Sequence, residues 1–108
     1  MSKTILQINY KFSLGRVEHT ELVTPLAEPI AATEGLVWKV WLMNEADNEA
    51  GGIYLFEDQA SAHAFMESQA VADFVAHPTI SDVSAKLFEP DEQLSQITRG
   101  PLAVGTKV

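Results

Sequence analysis

Cysteine is absent from this 108-residue chain, which excludes disulfides, thiolate metal sites and cysteine nucleophiles. Basic charge is scarce. Seven Lys and Arg stand against fifteen Asp and Glu, for a formal charge of -8 and a pI near 4.6. Nucleic-acid affinity rests on clustered cations, and these seven are scattered, so no nucleic-acid partner is expected. No stretch approaches the roughly 20 apolar residues of a membrane-spanning helix. No long apolar run follows the opening MSKTILQ, and the expectation is a soluble, cytoplasmic protein without a membrane partner. Also missing are a Gly-rich phosphate loop, a G-x-S-x-G elbow and an H-E-x-x-H zinc pair.

What is present fits one domain over residues 1–99, with 100–108 expected to be a mobile tail. Thr4 to Phe12 alternates, with Leu6, Ile8, Tyr10 and Phe12 on one face and Gln7, Asn9 and Lys11 on the other, which predicts a strand. Leu22, Leu26 and Ile30 then recur at helical spacing up to Gly35. A helix over about Val17 to Thr33 is predicted, bent or broken near Pro25. Leu36–Glu45 and Ala50–Phe56 read as a hairpin joined through Ala46-Asp47-Asn48, and Gly51-Gly52 marks a bulge or a close approach to the backbone. Asp58 suits the N-cap of a second helix with an inner stripe of Ala62, Phe65, Met66 and Gln69, ending before Pro78. Ile80–Glu89 completes the pattern as a fourth strand.

The order β-α-β-β-α-β is the split βαβ arrangement of an α+β, ferredoxin-like fold: a four-stranded antiparallel sheet with two helices on one face. Two helices leave the second face bare, yet the strand GLVWKVWLM is apolar on both sides. Val37, Trp41 and Met43 fall on one side, and Leu36, Trp38, Val40 and Leu42 on the other. A second copy, sheet against sheet, is the economical cover, so a homodimer through sheet faces is expected.

Candidate chemistry is sparse. His63 and Glu67 are four apart on the second helix and read as a solvated ion pair rather than metal ligands, and no metal site is expected. His19 and His77 read as surface or capping residues. Lys39 and Trp41 share one side of the second strand, either as an interface lysine reaching for water or as a polar handle on an aromatic pocket wall. A pocket lined by Trp41, Tyr10, Phe65 and Met66 would suit a small, flat aromatic molecule, with Asn9 or Gln7 as a hydrogen-bonding anchor.

GLVWKVW, NEAGGIYLFED and the LSQI at Leu94–Ile97, at their mutual spacing, resemble the YdhR-like monooxygenase family of the dimeric α/β-barrel superfamily. The likeness runs from LQINYKF through TPLAEPI to EQLSQI. It implies a ferredoxin-like protomer, a homodimer with facing sheets, and a cavity between sheet and helices. By superfamily analogy it also implies cofactor-independent oxidation of an aromatic or polyketide-like compound. The parts such chemistry would use are Trp38 and Trp41 as walls, Tyr54 and Asn9 as hydrogen-bonding groups and Lys39 as the positive charge. A non-catalytic small-molecule-binding dimer and an isomerase or lyase remain open on the same fold.

Overall fold

The computed structural model describes residues 3–102. Four strands, β1 (Thr4–Phe12), β2 (Leu36–Asn44), β3 (Glu49–Phe56) and β4 (Ile80–Phe88), form one antiparallel sheet in the order β2-β3-β1-β4. This is the ferredoxin-like order, and the strand boundaries lie within one residue of those read from the sequence.

The alternation in β1 sorts its side chains as expected. Thr4, Leu6, Tyr10 and Phe12 are buried beneath the helices, and cross-strand pairing puts Tyr54, Gly52 and Ala50 of β3 on the same face. Leu6, Tyr54, Phe56, Ala62 and Phe65 form one part of the core, and Tyr10, Phe12, Ala50 and Ile80 the other. Phe56 is fully buried, which contributes on the order of 2–3 kcal/mol.

The predicted first helix is three pieces: α1 (Arg16–Val23), a 3-10 turn over Thr24–Leu26, and α2 (Ala27–Ala31). Pro25 sits at the start of the 3-10 turn and Pro29 in the first turn of α2, where a missing N–H removes no helical hydrogen bond. Gly35 turns the chain into β2 at φ 84°, and a Cβ there would collide with Ser61.

The second helix also divides. Asp58 caps α3 (Gln59–Met66) as expected, its Oδ1 accepting from the Ser61 N–H at 2.8 Å. Ser68 then leaves helical geometry and caps a new helix, α4 (Gln69–Val75). The restart changes the helical phase, so Gln69 is not on the inner stripe: it is exposed and donates to Asp73 at 2.7 Å.

Register overturns one part of the β2 reading. The pairing of β2 with β3 shifts between Leu36 and Trp38. An extra residue at this bulge reverses the alternation, so Leu36 joins Lys39, Trp41 and Met43 beneath the helices, while Trp38, Val40 and Leu42 face outward. Gly51-Gly52 carries no bulge; the ladder runs through it regularly.

A fifth helix, α5 (Glu92–Ile97), follows β4, capped by Asp91. The chain then returns to the outer face of the sheet, where the Trp38 indole N–H donates to the Pro101 carbonyl at 2.8 Å. Leu55, the cross-strand neighbour of Trp38, is completely buried on that face. Of the segment expected to be mobile, residues 100–102 are thus described and Pro101 is held, whereas 103–108 lie outside the described residues. No described helix is long and apolar enough to cross a membrane.

Candidate functional site

Between the sheet and the helices lies a cavity of about 400 Å³, within the range of small-molecule sites. The β2–β3 hairpin supplies its floor through Lys39, Trp41, Gly52 and Tyr54. Pro29 and Ile30 of α2 form one flank, and Phe65 and Met66 of α3 with Phe74 of α4 the other. Nearly all of this lining is apolar. Trp41 is 41 % exposed, so the cavity opens to solvent along that edge.

Lys39 is the cation in this cavity. Its stem lies across Gly52, where a Cβ would come within 2.5 Å of Cε, and its Nζ stands 3.3 Å from the centre of the Trp41 ring and 4.5 Å from that of Tyr54. Among the described residues no carboxylate pairs with it; the one ion pair there is Arg16–Glu45, at the surface. Burial strips the ammonium of water and lowers its pKa from 10.5 to about 7. The two ring faces return part of the lost hydration, and near neutrality the free amine and the ammonium coexist.

The phenols are tuned the other way. Burial pushes Tyr10 up to about 12 and Tyr54 higher still, with Tyr10 adding to the rise at Tyr54. Both stay protonated at neutral pH. Tyr10 shares a 2.9 Å hydrogen bond with Nε2 of His19, and the His19 ring stacks on Phe12 at 4.3 Å between centroids. His19 is only 2 % exposed and its Nδ1 has no partner among the described residues. Burial lowers its pKa, keeping it neutral.

Six of the residues singled out in the sequence therefore meet at one cavity: Lys39, Trp41, Tyr54, Tyr10, Phe65 and Met66. Trp38 and Asn9 do not. Both lie on the opposite face of the sheet by simple alternation: Trp38 precedes Lys39 on β2, and Asn9 falls between Ile8 and Tyr10 on β1, where its Oδ1 accepts from Gln7 at 3.3 Å. His19 corrects the surface reading, since α1 turns it inward onto Tyr10 and Phe12. Its helix, RVEHTELV, is polar enough to conceal that. His77 caps no helix; it is half-buried in the turn before β4, its Nδ1 accepting from the Thr79 N–H at 3.2 Å. The side chains of His63 and Glu67 form no ion pair, and among the described residues no three His, Asp or Glu gather as metal ligands.

Residues 5–101 match the family model described as "Putative mono-oxygenase ydhR". The chain belongs to the YdhR family. Solved structures share the fold of this YdhR-family chain. A variant of SnoaB, a cofactor-independent oxygenase from Streptomyces nogalater, aligns with TM-score 0.68 at 15% identity, covering 84% of this chain and 95% of SnoaB. A Deinococcus radiodurans protein described as a "putative antibiotic biosynthesis monooxygenase" aligns with TM-score 0.67 at 13% identity, over 81% and 91% of the two chains. NE2512 from Nitrosomonas europaea aligns with TM-score 0.65 at 21% identity, over 83% and 90%. Identities this low establish the shared fold alone. No curated protein matches the YdhR-family chain.

Proposed function

We propose that this protein is a cofactor-independent monooxygenase that takes a small aromatic or polyketide-like compound into the cavity above the β2–β3 hairpin. The observation that carries this reading is the Lys39 amine, unpaired among the described residues and set 3.3 Å over Trp41 in an apolar cavity. The fold shared with SnoaB supports it.

The chemistry needs an acidic carbon on the substrate, a CH₂ flanked by aryl or carbonyl groups. The free amine of Lys39 takes a proton from it, and the ammonium that results stabilises the enolate or phenolate beside it. Tyr54, held protonated, supplies a hydrogen-bond donor, while Trp41, Tyr10, Phe65 and Met66 hold the flat ring and limit access of water. The anion adds to O₂ to give a hydroperoxide. Loss of the remaining C–H proton with cleavage of the O–O bond converts CH₂ to C=O and releases water, so the substrate's four electrons reduce one O₂ and no external reductant is needed.

Oxygen uptake with a panel of anthrones and related aromatic compounds that carry an acidic CH₂ tests this. Turnover by the native protein and a fall of ~10²-fold or more in Lys39→Met are expected. Tight binding of these compounds without oxygen consumption would instead identify a non-catalytic binding protein.

The same reading includes a homodimer through the outer sheet faces. Val40 is 51 % exposed and Phe88 49 % on that face, and Leu94 and Ile97 of α5 are exposed further still. Native mass spectrometry should give twice the chain mass; a monomer at micromolar concentration would overturn the assembly.

A further inference from the structure

An amine with no partner inside an apolar cavity has a second reactivity, as a nucleophile toward carbonyl carbon. We propose that Lys39 is a covalent capture site for apolar aromatic aldehydes and ketones, which it binds as an imine. The placement of Nζ argues for this. It stands between the faces of Trp41 and Tyr54, so a flat carbonyl compound entering the cavity along the exposed edge of Trp41 meets the amine beside two aromatic walls. Gly52 leaves the lysine stem room to lie flat on the sheet, which holds Nζ at the cavity floor.

In the reaction the nitrogen lone pair attacks the carbonyl carbon, and the oxygen takes up a proton to give a carbinolamine. That oxygen leaves as water and the C=N bond forms, one amine and one carbonyl giving one imine and one water. The desolvation that brings Lys39 to about 7, well below the ordinary lysine range, supplies free amine at neutral pH. The titratable groups that share the cavity with it are Tyr10, Tyr54 and Glu34. The two phenols are protonated there and offer no competing nucleophile.

This site does not depend on oxygen chemistry, and the test is run without oxygen. The native protein is incubated at pH 7 with 2-naphthaldehyde, the imine is reduced with sodium cyanoborohydride, and the adduct is located by peptide mapping. The expected result is at least tenfold more adduct on Lys39 than on any other lysine, with the preference shrinking at pH 10, close to the ordinary lysine pKa. Lys39→Arg should lose this adduct and keep any surface labelling. Equal labelling of all lysines, or no label on Lys39 in protein shown to be folded by circular dichroism, would overturn the proposal. Selective labelling of Lys39 by glyoxylate but not by 2-naphthaldehyde would overturn the assigned substrate class. An imine formed by a protein that consumes no oxygen would leave this site standing while the oxygenase reading fell.

Discussion

The phenol oxygen of Tyr10 lies 2.9 Å from Nε2 of His19, joining the first strand to the first helix through two buried, titratable side chains. Since burial lowers the His19 pKa in the fold, the unfolded chain takes up a proton at higher pH than the folded one. Stability from this group is therefore complete above about 6.5 and declines as pH falls below it, by at most ~1.4 kcal/mol per pH unit. Urea unfolding between pH 7 and 5.5 should show this decline in the native protein. His19→Gln should flatten it, and an unchanged slope would show that His19 titrates freely in the fold.

Lys39 is coupled to pH in a higher window. Its folded pKa lies far below the ordinary lysine value, so between about pH 7 and 10 the unfolded chain holds the extra proton and stability rises with pH. Relative to Lys39→Met, the native protein should gain up to ~1 kcal/mol per pH unit from 7 to 9.5. Above that the phenols oppose the trend, because burial raises Tyr10 and Tyr54 and makes the folded state hold their protons longer. Parallel stability curves for the two proteins would place the Lys39 amine in water.

Gly52→Ala would set a methyl group 2.5 Å from Lys39 Cε and 3.4 Å from Nζ. The lysine stem is flexible and gives way, so the fold should survive while the amine is pushed off the Trp41 ring toward the open edge. NMR titration of the Lys39 side chain should then show its midpoint rising by about one pH unit or more. An unmoved midpoint would mean that the glycine does not set the amine's position.

Trp38→Phe keeps the ring and removes the N–H that reaches Pro101. A cost of about 0.5–1.5 kcal/mol is expected, with faster amide exchange in α5 and residues 98–102 and no change at the Lys39 cavity on the opposite face. Exchange altered throughout the sheet would assign Trp38 a wider role.

How much of this site was legible beforehand depends on distance along the chain. The Thr4–Phe12 alternation and the Asp58 cap are local patterns, and they lead directly to the elements found. Lys39 and Trp41 are two apart on one strand, so their shared face survives any register. Trp38 could not share that face, because it alternates with Lys39 and Trp41 and so points the other way in any register. The bulge moved Leu36 instead, inverting the alternation upstream of Trp38, and no feature of GLVWKVW announces it. His19 was missed because its partners Tyr10 and Phe12 belong to another element, and the inward rotation of α1 is set by packing, not by its own weak apolar pattern.

By itself, the sequence determined the element order, the antiparallel hairpin, the absence of thiol chemistry and the family, because these depend on composition, short-range periodicity and contiguous motifs. Tertiary structure alone decided that Lys39 stands unpaired among the described residues over Trp41 and Tyr54, that His19 is buried against Tyr10, and that the chain's own Pro101 reaches Trp38 on the outer face. Each of these depends on register and on which helix covers which strand. Desolvation, the force that retunes Lys39, exists only once those surfaces have closed around it.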